Sequence, residues 1–206
     1  MMTRETNLSR RDFTGVLLGG SLAATGLFPA PAGAQSADAA TSLVNAVVAD
    51  LLRVIGSGRG DAALFREFER IFRDYADVAT IAQSVVGPPW RSASAEDRSA
   101  FIAAFKSYMA RKYGRQFRDF VGAEIVVTGT RPDRNFIEVT STARLPGRAP
   151  YDVRWLVSNW SGRARFFNVS IAGLNLMVTE RNAIGAMLES RGGDLGRLAA
   201  DLRSMG

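Results

Sequence analysis

The chain has 206 residues, and its 26 lysines and arginines against 20 aspartates and glutamates give a formal net charge of +6 at pH 7. It contains no histidine and no cysteine, which excludes zinc sites of the His/Cys type and catalysis by Ser-His-Asp or Cys-His groups. The arginines are scattered along the sequence rather than concentrated on one element, so nucleic acid is not an expected partner.

The first 34 residues have the three-part organisation of a secretory signal peptide. Residues 9–13, Ser-Arg-Arg-Asp-Phe, form a charged segment that resembles the twin-arginine signature, and residues 16–28 are apolar and uncharged. Residues 29–34 supply prolines and an A-x-A motif, so cleavage is expected between Ala34 and Gln35. A retained membrane anchor is the alternative, but 13 apolar residues are fewer than the roughly 20 that a bilayer requires. The mature protein is therefore predicted to be periplasmic.

Residues 35–206 are long enough for a single domain, and their first half has the apolar spacing of helices. The pattern predicts helices at about 41–56 and 61–73, and Asp77 is positioned to cap a short third helix. The longest predicted helix, at about 95–119, begins after a serine that is followed by acids in the first turn. Four helices are thus expected before any strand.

After Gly122 the apolar pattern changes to a period of two, which is typical of strands. Residues 131–134, with a proline between charged residues, have the composition of a turn between the first two strands. The predicted strands are 125–127, 136–142, 151–157 and 165–171. Helices at about 174–190 and 194–203 close the chain. The expected fold is α+β, with N-terminal helices, a four-stranded antiparallel sheet and C-terminal helices, the helices packing on one face of the sheet.

Carboxylates are the first candidates for catalysis in a chain without histidine. Glu138 and Asp152 lie on predicted strands, and Glu138 shares its face with Phe136 and Thr140, which we interpret as the solvent side. An enzyme remains an alternative if one of these acids faces a cavity next to a tyrosine. Acids that face outward would remove that alternative.

Two stretches of the sequence, taken in order, resemble one protein family. The first reads DVATIAQSVVG, then WR, then AEDRSAFIAAF, within residues 77–105. The second reads YDVRWL followed by FFNVSIAGLNL, within residues 151–176. Together they resemble the MlaC-type periplasmic phospholipid-binding proteins, also called the toluene-tolerance auxiliary component of an ABC transport system. The resemblance extends over about 42–203, and a related branch accompanies hopanoid genes, so a hopanoid or other apolar lipid is the alternative ligand.

The resemblance implies a deep apolar cavity that receives the acyl chains of a phospholipid and leaves the headgroup near solvent. It implies transport between an outer-membrane lipoprotein complex and an inner-membrane ABC transporter with a hexameric lipid-binding subunit. It implies no cofactor, no metal and no catalysis. The sequence departs from the family pattern in two places: Asn168 stands where Asp is frequent, and residues 178–182 read Val-Thr-Glu-Arg-Asn where an Asn-Tyr-Arg-like stretch is common.

The side chains expected to line the cavity are large and apolar, since each buried methylene group contributes about 0.8 kcal/mol to binding. From the helices they are Ile81, Val85, Phe101, Phe105, Tyr108 and Met109. From the sheet they are Val127, Ile137, Val139, Val153, Trp155, Val169 and Ile171. Leu174 and Met177 are expected to close the mouth. A core closed to acyl chains would instead indicate a non-transporting interaction protein.

Overall fold

The computed structural model describes residues 32–205, and its side chains from Ser36 onward. The twin-arginine segment and the apolar segment of the predicted leader lie outside the described residues. The helices are α1 (Ala32–Ile55), α2 (Asp61–Tyr75), α3 (Val78–Val86), α4 (Ala95–Gly114), α5 (Leu176–Glu189) and α6 (Leu195–Leu202), with 3₁₀ helices at Pro88–Arg91 and Gln116–Phe120. The strands are β1 (Glu124–Asp133), β2 (Phe136–Arg144), β3 (Tyr151–Ser158), β4 (Arg165–Ile171) and β5 (Leu174–Asn175).

The helices begin at side chains that satisfy free backbone N–H groups. Asp77 accepts a hydrogen bond from the Thr80 amide at 3.2 Å at the start of α3. Ser94 accepts one from the Asp97 amide at 3.0 Å at the start of α4. Such caps contribute about 1 kcal/mol each and determine where a helix starts. The predicted starts of α3 and α4 are therefore found within a residue of the expected positions.

Helix α4 ends five residues earlier than the sequence pattern predicts. It stops at Gly114, and the chain continues as the 3₁₀ helix Gln116–Phe120. Gly114 lies so close to α2 that a Cβ atom there would be 2.8 Å from Cδ1 of Phe65. The tighter helix turns Phe117 toward α2, where its ring stacks on Phe68 with centroids 4.9 Å apart.

The sheet is an antiparallel meander with the strand order β1-β2-β3-β4-β5. The α+β fold with an antiparallel sheet is confirmed, and the sheet has five strands rather than four because Leu174–Asn175 pairs with the end of β4. Ile137, Val139 and Val153 alternate with exposed or half-buried residues and are buried on the face that the helices cover. This face and the helices enclose the core.

The hairpin between β1 and β2 differs from the prediction. Residues 131–134 were expected to form the turn, but β1 continues to Asp133, which pairs with Phe136. The turn consists of Arg134 and Asn135, and Arg134 has a positive φ of 46°. Pro132 is tolerated in β1 because β1 is an edge strand, where a missing N–H interrupts no central ladder.

No helix within residues 32–205 combines the length and the apolar character needed to cross a bilayer.

Candidate functional site

A cavity of about 140 Å³, here called the larger cavity, lies between the helices and the covered face of the sheet. Its walls are almost entirely apolar, because aromatic and aliphatic side chains from four α-helices, from the 3₁₀ helix Gln116–Phe120 and from the sheet converge there. The helical lining is Val47, Leu51, Phe68, Ile71, Phe72, Met109, Ala110, Tyr113, Phe117, Phe120 and Leu176. The sheet contributes Ile125, Val153, Trp155, Phe166, Val169 and Ile171.

The tryptophan in this wall presents only its apolar surface to the larger cavity. The indole N–H of Trp155 donates a hydrogen bond to the Ser141 hydroxyl at 3.0 Å, and Ser141 in turn donates to the Val153 carbonyl at 3.3 Å. Phe166 packs edge-on against Trp155 with ring centroids 5.7 Å apart. The polar group of the tryptophan is thus satisfied within the sheet.

A second cavity of about 60 Å³, here called the smaller cavity, adjoins the larger one. The two share walls formed by Phe72, Met109, Phe166, Val169 and Leu176. The smaller cavity is completed by Ile81, Phe167, Asn168, Met177 and Glu180. Methionine has three rotatable bonds and adapts to its surroundings, and Met109 lies in the wall that the two cavities share.

A buried polar cluster lies at the smaller cavity. Glu180 is 1% exposed, and its Oε1 accepts hydrogen bonds from Lys112 Nζ at 2.6 Å and from the Tyr113 hydroxyl. Its other oxygen, Oε2, is buried and has no hydrogen-bond partner among the described residues. Asn168 on the same wall accepts a hydrogen bond from the Met177 amide at 3.3 Å through its amide oxygen.

The cluster changes the proton affinity of the groups that donate to Glu180. Burial, together with the hydrogen bond to Glu180, raises the pKa of the Tyr113 hydroxyl well above its ordinary range. Burial opposes the charge of Lys112, but hydrogen bonds to Glu180 and Tyr108 outweigh it and raise the pKa of the ammonium group. Lys112 therefore stays charged and Tyr113 stays protonated at neutral pH.

Seven of the predicted site residues line these two cavities. Val153, Trp155 and Ile171 line the larger cavity, Ile81 and Met177 line the smaller cavity, and Met109 and Val169 line both. The remaining eight lie elsewhere. Val85, Phe101, Phe105, Tyr108 and Val139 are buried in the core, Ile137 lines a separate surface pocket, Val127 is half-buried, and Leu174 is 58% exposed.

Several lining residues were not predicted, and most belong to patterns that are visible in the sequence. Phe68, Ile71 and Phe72 follow the apolar spacing of α2, and Val47 and Leu51 follow that of α1, so the helical stripe itself is the signal. Phe117 and Phe120 in the 3₁₀ helix carry no comparable signal, because the direction of their side chains depends on where α4 ends. Phe166 carries none either, because its direction depends on a bulge in β4.

The two strand acids considered for catalysis face away from the cavities. Glu138 lies on the face opposite the buried Ile137 and contacts Arg131 at 3.4 Å. Asp152 is exposed and contacts the Thr142 hydroxyl at 3.4 Å. Neither acid can act on a ligand held between the sheet and the helices. Glu180, by contrast, is an acid that lines the smaller cavity, as does Asn168. The smaller cavity is thus lined by Asn168 and by one residue of the stretch 178–182, the two places where the sequence departs from the family pattern.

A family model described as MlaC protein matches residues 45–204. This match confirms the resemblance that the sequence shows over about 42–203. Among solved structures, the chain is similar to a phospholipid-binding protein from Ralstonia solanacearum that was determined in complex with a phospholipid. The two share 23% sequence identity and a TM-score of 0.69, over 80% of this chain and 95% of that chain. At this level of identity the similarity shows a common fold.

Proposed function

Because the chain belongs to the MlaC family, we propose that it is a lipid-binding protein that shuttles phospholipid through the periplasm. In this role it exchanges lipid with an outer-membrane lipoprotein complex and with an inner-membrane ABC transporter that carries a hexameric lipid-binding subunit. The observation that carries the proposal is the apolar cavity between sheet and helices, in a fold shared with a protein determined in complex with a phospholipid.

The larger cavity provides the binding energy that the proposal requires. In other proteins a cavity of about 150 Å³ holds a benzene ring, so a cavity of this size accommodates roughly six carbon atoms. At about 0.8 kcal/mol for each buried methylene group, six groups contribute about 5 kcal/mol. No charged anchor for the headgroup is needed for binding of this kind.

A whole acyl chain is longer than the larger cavity, so its binding requires the walls to separate. Three of the five large apolar side chains that are exposed among the described residues lie next to residues of the cavity wall. Leu174 and Val178, which are 58% and 54% exposed, flank Leu176 in the wall, and Val121 follows Phe120 and is 57% exposed. We place the mouth between the start of α5 and the 3₁₀ helix Gln116–Phe120, where a chain can enter and the headgroup stays in solvent.

The proposal is tested by extracting the natively purified protein with organic solvent and identifying the extracted lipids by mass spectrometry. We expect phospholipid in the extract, and uptake of labelled phospholipid from vesicles by the delipidated protein. A hopanoid in the extract, without phospholipid, would show that the protein binds the alternative ligand. An extract without lipid, together with no uptake, would contradict lipid binding.

A substitution that fills the larger cavity tests whether the lipid binds there, and a substitution on the exposed side of the same helix is its control. Ala110 lines the cavity on α4, whereas Ala103 on the same helix is exposed. We expect Ala110→Phe to reduce phospholipid uptake at least tenfold, because the added ring occupies the volume that the acyl chain needs. Ala103→Phe should leave uptake unchanged. Equal uptake by the two variants would show that lipid binds elsewhere.

The shuttle role and the compartment need separate experiments. Transfer is measured by mixing the lipid-loaded protein with the membrane-embedded partner complexes and following labelled lipid in each. N-terminal sequencing of protein recovered from the periplasm tests for cleavage near Ala34 and Gln35, after which residues 35–206 form the proposed single domain. Protein that retains its leader at the membrane would contradict a diffusing carrier.

The small volume of the larger cavity also favours one second candidate, a non-transporting interaction protein with a closed core. The two candidates differ in one measurable property, which is whether the cavity opens to admit a chain. A spin-labelled or brominated acyl chain that quenches tryptophan fluorescence from within the protein would exclude the closed core. Absence of quenching at saturating lipid would support it.

A further inference from the structure

Three aromatic rings pack together at one end of the sheet. The ring of Trp160 lies on that of Phe167 with centroids 4.7 Å apart, and Phe136 meets Phe167 edge-on at 5.7 Å. Trp160, in the turn between β3 and β4, is 52% exposed, while the other two rings are half-buried. These three residues, here called the aromatic patch, therefore present a large indole ring to solvent on a support of two further rings.

The aromatic patch lies on two hairpin ends that are rich in arginine. The hairpin ends are residues 131–136 and 158–165, and they lie side by side because both line one surface groove. Together they contain four arginines and a single aspartate. One of these arginines, Arg131, pairs with Glu138 at 3.4 Å. The other three give this end of the sheet a net positive charge.

Two of the remaining arginines are free to bind an anionic partner. Arg134 and Arg163 are exposed, and neither forms an ion pair with a described residue. Arg163 donates a hydrogen bond to the backbone carbonyl of Asp74 at 3.4 Å, and the carboxylate of Asp74 is paired with Arg73 at 2.8 Å. Arg165, in contrast, is partly buried and donates to the Ala76 carbonyl at 2.8 Å. Arg134 and Arg163 thus place two unpaired positive charges beside the aromatic patch.

This combination of groups fits the surface of an anionic lipid bilayer. Tryptophan is enriched where a membrane meets water, because its ring is apolar and its N–H group is polar. A guanidinium group forms paired hydrogen bonds with phosphate and is attracted to negatively charged headgroups. A free anion would leave Trp160 in water, and a purely apolar ligand would leave both arginines unpaired.

The aromatic patch is also continuous with the candidate lipid site. Phe167 belongs to the patch and at the same time lines the smaller cavity, whose walls are shared with the larger one. A bilayer that contacts Trp160 would therefore lie next to the wall of the smaller cavity. Attachment at this end brings the lipid site close to a source of lipid.

We propose that the aromatic patch, with Arg134 and Arg163, is a docking surface for anionic phospholipid bilayers. In the docked state the indole of Trp160 lies among the headgroups, and the two guanidinium groups bind lipid phosphates. This inference goes beyond the proposed shuttle role, in which lipid is exchanged with protein complexes. It adds a direct and reversible attachment of the carrier to the membrane surface.

Sedimentation with vesicles tests the docking surface. The protein is mixed with vesicles of phosphatidylcholine alone, or with vesicles of an equal mixture of phosphatidylcholine and phosphatidylglycerol, and the bound fraction is measured after centrifugation. We expect binding to be at least about tenfold tighter to the anionic vesicles, since each arginine at an anionic surface contributes about fivefold. High salt should remove most of this preference, because it screens exposed charges. Equal binding to both kinds of vesicle, or no binding to either, would overturn the proposal.

A pair of substitutions assigns the binding to the two arginines. We expect Arg134→Gln combined with Arg163→Gln to weaken binding to the anionic vesicles about tenfold or more. Arg197→Gln combined with Arg203→Gln changes the net charge by the same amount at two exposed positions in and just after α6, and should leave binding unchanged. An equal loss in the two double variants would mean that only the net charge matters, and it would overturn the assignment to this surface.

The indole ring is tested separately. We expect Trp160→Ser to weaken vesicle binding about fivefold or more, because membrane binding grows with the apolar area that is buried. Trp160→Phe keeps an aromatic ring and should retain most of the binding. The melting temperature of each variant shows that it is folded. Unchanged binding by a folded Trp160→Ser variant would contradict the role of the aromatic patch.

Two further measurements separate docking from lipid uptake and from protein partners. Ala110→Phe fills the larger cavity, so this variant should bind vesicles as tightly as the unsubstituted protein while it takes up less lipid. A parallel loss of vesicle binding would show that attachment occurs through the cavity, and it would overturn the docking surface. Binding only to vesicles that contain the membrane-embedded partner complexes would assign the surface to a protein and would also overturn it. An absence of lipid from the native extract contradicts the proposed function and leaves the vesicle measurement unaffected.

Discussion

At the scale of single residues, Asp50 is the side chain that connects the first two helices. Its Oδ1 accepts a hydrogen bond from Arg53 at 2.7 Å, and its Oδ2 accepts from Arg70 and from the Tyr75 hydroxyl, both at 3.0 Å. These hydrogen bonds, led by that from Arg53, lower the pKa of Asp50 from 3.8 to about 2, although partial burial acts in the opposite direction. The connection holds α1, which carries part of the larger cavity wall, against α2.

We predict that Asp50→Asn lowers the free energy of unfolding by about 1–2 kcal/mol at pH 7. The folded pKa is below the unfolded value, so this contribution is present above about pH 4 and is lost as the pH falls toward 2. Urea unfolding at pH 7 and pH 2.5 measures the difference. Asp38→Asn, an exposed acid on the same helix, is the control, and a loss that is equal at both pH values would contradict the assignment.

At the scale of elements, the end of α4 positions the aromatic side chains of the larger cavity. Gly114 allows α4 to lie against α2, and the following 3₁₀ helix places Phe117 and Phe120 in the cavity wall. Their rings pack together with centroids 5.4 Å apart. A continuous α-helix would point these two rings in other directions, so the helix break is part of the site.

We predict opposite effects for two Gly→Ala substitutions in helices. In Gly114→Ala the new Cβ would lie 2.8 Å from Phe65 and 3.3 Å from Phe68, so we expect a loss of about 1–3 kcal/mol in stability. Gly185→Ala in α5 meets nothing within 4 Å and should stabilise the protein by about 0.5–1 kcal/mol. Chemical denaturation compares them, and similar changes in both variants would mean that close packing at Gly114 is unimportant.

The sequence predicts these elements better than it predicts the site. Helix starts at Asp77 and Ser94 depend on local hydrogen bonds, and strands depend on alternation, so both are visible in a short window. The cavity, in contrast, exists where buried side chains from different elements do not pack against each other, and a short window of sequence does not show this. Phe105 and Phe166 are equally apolar in the sequence, yet Phe105 is enclosed in the core and Phe166 lines both cavities.

The burial of Glu180 is likewise not visible in the local sequence. In the sequence it stands among Thr, Arg and Asn, a composition that is typical of an exposed helical face. Its burial follows from contacts with Lys112 and Tyr113, which are more than sixty residues away in the chain. No local pattern contains that information.

At the scale of the whole molecule, helices cover one face of the sheet and leave unfilled volume between themselves and the strands. A native core is close-packed, so a cavity lowers stability until a ligand occupies it. A ligand that binds only the folded state stabilises it by an amount that grows with ligand concentration. Binding and folding of this protein are therefore expected to be coupled.

We predict that removal of bound lipid lowers the melting temperature, and that lipid added back at about 100 times its Kd restores about 2.7 kcal/mol. Differential scanning calorimetry of native, delipidated and reloaded protein measures the change. The Ala110→Phe variant is the control, because its filled cavity should make the melting temperature insensitive to lipid. A melting temperature that is independent of lipid in the unsubstituted protein would contradict the coupling.

The hydrogen bond that fixes Trp155 has a further, optical consequence. Of the three tryptophans in the chain, Trp155 forms part of the larger cavity wall, whereas Trp160 is exposed and Trp90 lies near the start of α4. An indole that is held rigidly between Ser141 and an apolar space emits light according to what fills that space. The protein therefore contains an intrinsic fluorophore in the wall of the larger cavity, and the binding of lipid in this cavity can be followed in real time without attaching a dye.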